Sequence, residues 1–259
     1  MKLYLHATSL GLFLLTCVGT WQLADAQPSH PTILEAPAAL STEEIVSRLV
    51  ERNLQRSRAL ESYQGTRTYR LDYRGFPGSR TAEMTVEVSY KAPSTKEFIV
   101  RSESGSKLLI ERVFKRMLQS EKEAASEENQ RGVALNGDNY KFSLAGEENT
   151  ANGSAYILSV EPRTQNKLLY RGRIWVDAQD FAVTKIEGEP AKNPSFWTKE
   201  TRIEQIYSKV GEFWLPRSNR SATTVRLGGH ATFTIDYGDY RITAAAPSRS
   251  PESSVAGYR

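Results

Sequence analysis

The chain has 259 residues, of which 39% are hydrophobic, 25% charged and 10% aromatic, and its formal net charge is +4. These proportions are ordinary for a globular protein and allow a core to form. Because positive and negative residues are interleaved along the chain, the sequence pI near 9.1 does not reflect a basic stripe for phosphates, and the composition disfavours nucleic-acid binding.

The first 26 residues have the pattern of a secretory signal peptide. Lys2 precedes an apolar run from Leu10 to Val18, and Ala24-Asp25-Ala26 matches the A-x-A site that signal peptidase cleaves. Cleavage after Ala26 predicts an exported protein. The apolar run is too short to span a bilayer, and no longer one follows, so the mature chain is predicted to have no transmembrane segment.

The single cysteine, Cys17, lies inside this predicted signal peptide, so the mature chain has no disulfide or thiol chemistry. Leu14-Leu15-Thr16-Cys17 resembles a lipoprotein box. Threonine is a poor residue before the cysteine of such a box, so a lipid anchor on Cys17 is the alternative to cleavage after Ala26.

Residues 27–40 are rich in proline and predict an extended tether, and the folded domain is predicted to cover residues 41–243. Ser41 and Glu44 form a capping-box pattern, and apolar residues at helical spacing predict a first helix that ends near Ser62. A second amphipathic helix is predicted from Ser106 to Asn129. Residues 244–259 predict a disordered tail.

Between and after these helices the hydrophobic period changes to two, which predicts strands. The strands are expected around Tyr69 to Tyr73, then at 84–90, 97–102, 139–144, 155–161, 202–209, 213–217, 221–227 and 230–242. Short turns such as Gly228-Gly229 favour antiparallel pairing of sequential strands. In the segment RTYRLDYRG, from Arg67 to Gly75, the alternation predicts tyrosines facing inward and arginines outward.

The stretch from Leu168 to Glu187 predicts a hairpin, with its turn at Asp177 to Asp180. After it comes a long connection with no periodicity, Gly188 to Thr198, which contains Phe196 and Trp197. Two aromatic residues in a loop either plug the core or form a ligand gate or docking site, and both interpretations stay open.

No set of residues in the sequence points to catalysis. His230 is the only histidine in the predicted domain, so neither a zinc site nor a histidine-dependent nucleophile is expected. No phosphate-binding glycine motif opens a helix. We therefore expect no enzyme activity, no cofactor and no metal. The interleaved Tyr and Arg of RTYRLDYRG also suit single-stranded nucleic acid, but export makes that partner improbable.

Four segments resemble the bacterial outer-membrane lipoprotein-sorting protein family, which has a LolA-like fold. They are GRIWVDAQDFAVTKIEG, PAKNPSFW, FWLP at Phe213 to Pro216, and the final FTIDYGDYRI. The resemblance implies a mostly β (α+β) fold: an incomplete antiparallel β-barrel, or LolA-like half-barrel, whose concave face is covered by two amphipathic helices. It also implies a periplasmic carrier of lipoprotein acyl chains, or an envelope sensor built on the same scaffold.

A hydrophobic cavity inside such a half-barrel would bind an acyl chain without any catalytic group. The inward residues predicted to line it are Tyr69, Leu71, Tyr73, Met84, Val86, Val88, Tyr140, Phe142, Leu158, Ile174, Val176, Phe233, Ile235 and Tyr237. The alternative is that the helices fill the barrel and leave no cavity. The expected partners are a lipid or lipoprotein acyl chain and, for a sensor, an envelope protein; the chain is expected to be monomeric.

Overall fold

A computed structural model describes residues 40–124, 132–150, 153–166, 168–192, 198–226 and 228–244. The predicted signal peptide, most of the predicted tether, Cys17, and Phe196 with Trp197 lie outside these residues. So does nearly all of the predicted tail.

Helix α1, Thr42–Ala59, begins at the predicted cap. The Ser41 hydroxyl accepts a hydrogen bond from the Glu44 backbone N–H at 3.2 Å, and the Ser41 N–H donates to the Glu44 carboxylate at 2.9 Å. The capping box is therefore confirmed. The helix ends earlier than predicted, because Leu60 already adopts extended backbone angles and starts the first strand.

The ten strands in the described part of the chain form one antiparallel sheet, which confirms the predicted fold class. They are β1 (Leu60–Gly75), β2 (Arg80–Lys91), β3 (Thr95–Gly105), β4 (Tyr140–Thr150), β5 (Gly153–Pro162), β6 (Tyr170–Asp177), β7 (Val183–Pro190), β8 (Thr198–Val210), β9 (Phe213–Val225) and β10 (Gly229–Ala244). The strand order across the sheet is β3-β2-β1-β10-β9-β8-β7-β6-β5-β4. Every neighbouring pair is therefore sequential except β1 and β10. Because β3 and β4 are the two edges, the sheet is not closed.

The segment from Phe213 to Val225 is one strand, whereas the sequence predicted two. The residues between the two predicted strands, Ser218 to Arg220, are polar. In the structure Arg220 pairs with Glu204 of β8 and with Thr234 of β10, so both neighbouring strands hold it in extended conformation. The prediction of two strands was wrong, because pairing across the sheet outweighs a local turn signal.

The second helical segment is continuous in the described residues but not uniformly α-helical. It begins as α2, Lys107–Leu109, passes through a π-helical turn, Ile110–Phe114, and continues as α3, Lys115–Ala124. Ile110, Phe114 and Leu118 are its buried residues. The rest of the predicted helix, beyond Ala124, lies outside the described residues.

Each helical segment covers a different part of the same sheet face, which we call the inner face. Residues Ile45 and Leu49 of α1 pack on β4 to β7 and form the first apolar cluster. Ile110, Phe114 and Leu118 pack on β1, β2 and β10 and form the second apolar cluster. The predicted arrangement, two amphipathic helices over one sheet face, is therefore present.

Candidate ligand-binding site on the inner face

The structure divides the predicted lining residues between the two apolar clusters. Tyr140, Phe142, Leu158, Ile174 and Val176 belong to or pack against the first cluster. Those in or against the second cluster are Tyr69, Leu71, Met84, Val86, Val88, Phe233, Ile235 and Tyr237. Tyr73 belongs to neither cluster among the described residues; its hydroxyl donates a hydrogen bond to the Phe76 carbonyl at 2.6 Å.

Side chains of the helices occupy the space above many of these residues. The Phe114 ring lies 6.0 Å from the Tyr69 ring and 5.9 Å from the Phe233 ring, measured between centroids. Ile45 and Leu49 are fully buried in the first cluster. The residues of the two clusters thus contact protein in this conformation, and their contact with a ligand stays a prediction.

A cavity of about 560 Å³ lies between the C-terminal half of α1 and strands β6 to β9, and we call it the inner cavity. Its walls are mostly aliphatic and aromatic. They are formed by Asn53, Arg56, Ser57, Leu60, Val133, Leu135, Leu168, Tyr170, Ala182, Val183, Ile186, Ile203, Gln205, Tyr207, Phe213, Trp214 and Leu215. Its volume is in the ordinary range for small-molecule sites. None of the fourteen residues predicted as lining belongs to this set.

Two tyrosines give the inner cavity polar groups. Burial raises the pKa of Tyr207 to about 12, and burial together with neighbouring Tyr140 and Tyr207 raises the pKa of Tyr170 well above its usual value. Both phenols are therefore neutral at physiological pH. Neither hydroxyl forms a hydrogen bond to another described residue, so each is available to a ligand.

The end of α1 beside the inner cavity is tied to the hairpin turn. Arg56 donates hydrogen bonds to the Asp180 and Phe181 carbonyls at 2.9 and 3.0 Å. The turn itself is ordered by the Asp177 carboxylate, which accepts from the backbone N–H groups of Gln179 and Asp180 at 2.9 and 2.7 Å. This confirms the predicted turn and makes it an anchor for the helix.

A buried ion network holds the second helical segment on the sheet. Arg67, 5% exposed, donates to both carboxylate oxygens of Glu121 at 2.9 and 2.8 Å, and Lys96 donates to the same carboxylate at 2.6 Å. The Arg67 guanidinium also lies 4.9 Å from the Tyr237 ring centroid. The prediction that arginines of this strand face outward is wrong for Arg67, which shares the inner face with Tyr69.

The electrostatics of this network favour the charged states of both Arg67 and Glu121. Burial opposes ionisation of Glu121, but Arg67 and Lys96 outweigh it and hold the pKa of Glu121 below its usual value. Burial likewise opposes the charge of Arg67, and Glu121 outweighs it, so the pKa of Arg67 is raised. Sequence reasoning missed this pair; the only signal was that Arg67 is two residues from Tyr69.

In the described ranges, no group of three or more His, Cys, Asp or Glu side chains is arranged to hold a metal ion. Among the helices that the structure describes, none is long and apolar enough to cross a bilayer.

One family model matches part of this chain. Residues 135–240 match a family described only as a family of unknown function, DUF5686. This match covers less than half of the chain. No curated protein matches the sequence significantly.

Among solved structures, one similar to this chain is described as an outer-membrane lipoprotein-sorting protein domain from Vibrio parahaemolyticus. It has 13% identity and a TM-score of 0.42, and the match covers 78% of this chain and 94% of that one. A LolA superfamily protein from Nitrosomonas europaea has 14% identity, coverage of 80% and 96%, and a TM-score of 0.37. The MucA/MucB complex of Pseudomonas aeruginosa has 13% identity and a TM-score of 0.23, and the match covers 78% of this chain and 98% of that one.

The descriptions of the first two structures name the protein family that this sequence resembles. Likeness at these identities and TM-scores does not assign a function. The fold of this chain is defined by its own strands and helices.

Proposed function

We propose that this chain is a periplasmic binding or carrier protein that takes the acyl chain of a lipid or lipoprotein into the inner cavity. The observation that carries the proposal is the cavity itself, an apolar space that α1 and strands β6 to β9 leave unfilled. Burying one CH₂ group contributes about 0.8 kcal/mol, so an acyl chain gains affinity without a catalytic group.

The two tyrosines of the inner cavity suit the polar end of such a ligand. A neutral phenol donates a hydrogen bond to an ester or amide carbonyl. Tyr170 and Tyr207 stay protonated because burial raises their pKa values. Val183, Ile186 and Ile203 would contact the hydrocarbon part.

The lining predicted from sequence enters this proposal as a second wall. Tyr69, Met84 and Phe233 are covered by the second helical segment, which the Arg67 and Glu121 pair holds in place. We propose that they contact an acyl chain when this segment moves away from the sheet.

The direct test is purification of the full chain from bacteria, extraction with organic solvent and mass spectrometry of the extract. We expect acyl lipids in stoichiometric amount. Protein that is free of lipid and that co-purifies with an envelope protein would contradict the carrier function and favour the sensor built on the same scaffold.

A matched pair of variants locates the ligand. Ile203→Trp places a large ring in the inner cavity and should reduce the recovered lipid about tenfold, because the added ring takes the ligand's volume. Ile206→Trp, on the same strand but outside the cavity lining, should leave recovery unchanged. Equal recovery from both variants would exclude the inner cavity as the site.

A further inference from the structure

A second cavity, of about 980 Å³, lies on the opposite, outer face of the sheet. It runs across six strands, β4 to β9. Its lining residues come in consecutive sets such as Arg171, Gly172 and Arg173, in which the middle residue faces inward and the flanking two face outward. The cavity is therefore a trough with side-chain walls and a backbone floor, which we call the outer trough.

Two glycines shape the floor. Gly172 and Gly188 pair directly across β6 and β7. A Cβ atom on Gly172 would lie 2.1 Å from the Glu187 carbonyl oxygen, and one on Gly188 would lie 2.1 Å from the Arg171 carbonyl oxygen. Only glycine lets the two backbones approach this closely.

The walls carry charges of both signs in bands that follow the strands. Strand β6 contributes Arg171 and Arg173, which pair across the sheet with Glu189 and Glu187 of β7. Glu187 in turn pairs with Glu204 of β8. Like charges directly opposite each other are unfavourable. Lys185 forms an ion pair with Glu187, whereas Glu204, which lies opposite Arg220 of β9, forms no ion pair with another described residue.

The ion pairs of Arg171 and Arg173, the two arginines that β6 contributes to the trough, are long. Arg171 lies 3.5 Å from Glu161 and 3.7 Å from Glu189, and Arg173 lies 3.9 Å from Glu187. The buried Nε atom of Arg171 has no hydrogen-bond acceptor among the described residues. A buried donor without an acceptor is uncommon and costly, so this atom marks where an acceptor from a ligand fits.

Two other cations that line the trough are not engaged in ion pairs among the described residues. Arg202 and Lys141 line it, and neither forms an ion pair with any residue in the part of the chain that the structure describes. The carboxylates of Glu187 and Glu204 line the same trough. A ligand with only negative charges would be repelled by these carboxylates, and a ligand with only positive charges would be repelled by the arginines.

We propose that the outer trough binds an extended polypeptide segment that carries both acidic and basic side chains. Peptide carbonyls and acidic side chains accept hydrogen bonds from Arg171 and Arg202, and a basic side chain lies over Glu204. Six strands spaced about 4.8 Å apart give a trough of about 24 Å, and an extended chain rising about 3.3 Å per residue fills it with about seven residues.

This interaction is separate from the proposed carriage of lipid, because the outer trough and the inner cavity lie on opposite faces. A probe is the fluorescent octapeptide Glu-Thr-Lys-Thr-Glu-Thr-Lys-Thr. In extended form it places alternating charges on one side. Anisotropy of this probe with the full chain measures affinity, and amide shifts of Gly172 and Gly188 report the location.

We expect saturable binding that Arg171→Gln weakens about tenfold, as for the loss of a hydrogen bond to a charged group. Arg202→Gln, at an exposed side chain, should weaken it in the same direction and guards against misfolding of the first variant. Arg70→Gln is the matched control, because Arg70 lies on the same face outside the trough and is paired with Glu83 at 2.8 Å.

Three results would overturn the proposal. They are no saturable binding of the octapeptide, equal affinity in all three variants, or tighter binding of an all-glutamate octapeptide or of phosphatidylglycerol vesicles. The last result would assign the trough to an anionic ligand. Lipid recovery from Arg171→Gln should equal that of the unchanged chain, which separates failure here from failure of the carrier function.

Discussion

At the scale of single residues, the carboxylate of Glu121 binds two cations of the sheet, Arg67 and Lys96. It neutralises Arg67, which is almost wholly buried, and it joins α3 to strands β1 and β3. A buried guanidinium without its carboxylate is an uncompensated charge, which costs more than the ion pair contributes when intact.

Replacing Glu121 with Gln should therefore lower the free energy of unfolding by about 3 kcal/mol. Denaturant unfolding monitored by circular dichroism measures the change. The control is Glu83→Gln: Glu83 is about half exposed and is paired with the exposed Arg70, so its loss should cost less than about 1 kcal/mol. Equal effects of the two variants would contradict the burial argument.

The same carboxylate predicts a dependence on acid. The pKa of Glu121 in the folded chain is below its ordinary value of 4.5. The stabilisation is therefore complete above about pH 4.5 and is lost as the pH falls through the lower, folded-state pKa. The free energy of unfolding should fall below pH 4.5 in the unchanged chain, and Glu121→Gln should lose less over the same range. Parallel pH curves would contradict this assignment.

At the scale of elements, α1 and the β6–β7 hairpin owe their geometry to a few local features. The capping box defines where α1 starts. The paired Gly172 and Gly188 let β6 and β7 approach each other. Each feature is testable by removing one group.

Ser41→Ala removes the hydroxyl that accepts from the Glu44 N–H. We expect a loss of about 1 kcal/mol in the free energy of unfolding, the usual effect of removing such a cap. Ser57→Ala, at an exposed position near the other end of α1, should change it by less than about 0.5 kcal/mol. Thermal unfolding of both variants compares them.

Gly172→Ala should lower the free energy of unfolding by about 3 kcal/mol, because its Cβ would overlap the Glu187 carbonyl and its φ of +146° disfavours other residues. Gly137→Ala is the control, since a Cβ at Gly137 meets nothing within 4 Å. A Gly172→Ala variant as stable as the control would mean that β6 and β7 can separate without cost.

At the scale of the whole molecule, the open sheet gives an uneven distribution of stability. Strands β1 and β10 lie in its interior, third and fourth from the β3 edge, and pair along 14 registered positions. Strand β3 is an edge, and its Ile99 is 52% exposed. Edge strands have one side of their backbone unpaired and open locally at low free energy.

Amide hydrogen exchange should therefore be slowest in β1 and β10 and faster in β3. Mass spectrometry of peptic peptides from the full chain measures it. An excess of acyl lipid should slow exchange in β7 and β8, which line the inner cavity, and leave the edge strand β3 unchanged. Protection confined to β3 would place the ligand elsewhere.

The sequence by itself determined the features that depend on near neighbours. The cap at Ser41, the alternation along β1 and β2 and the turn at Asp177 arise from residues within a few positions of each other. The resemblance added the open half-barrel. These features were predictable because helix capping, pleat and turn geometry are local.

The tertiary structure decided what depends on pairing between distant strands. Arg67 faces inward because of its place on the sheet. Its buried charge is neutralised by Glu121, which is 54 residues away in the sequence. The inner cavity and the outer trough arise from the register of β4 to β9 and from the course of α1 over them. Packing of side chains from many strands sets such spaces, and no local pattern specifies them.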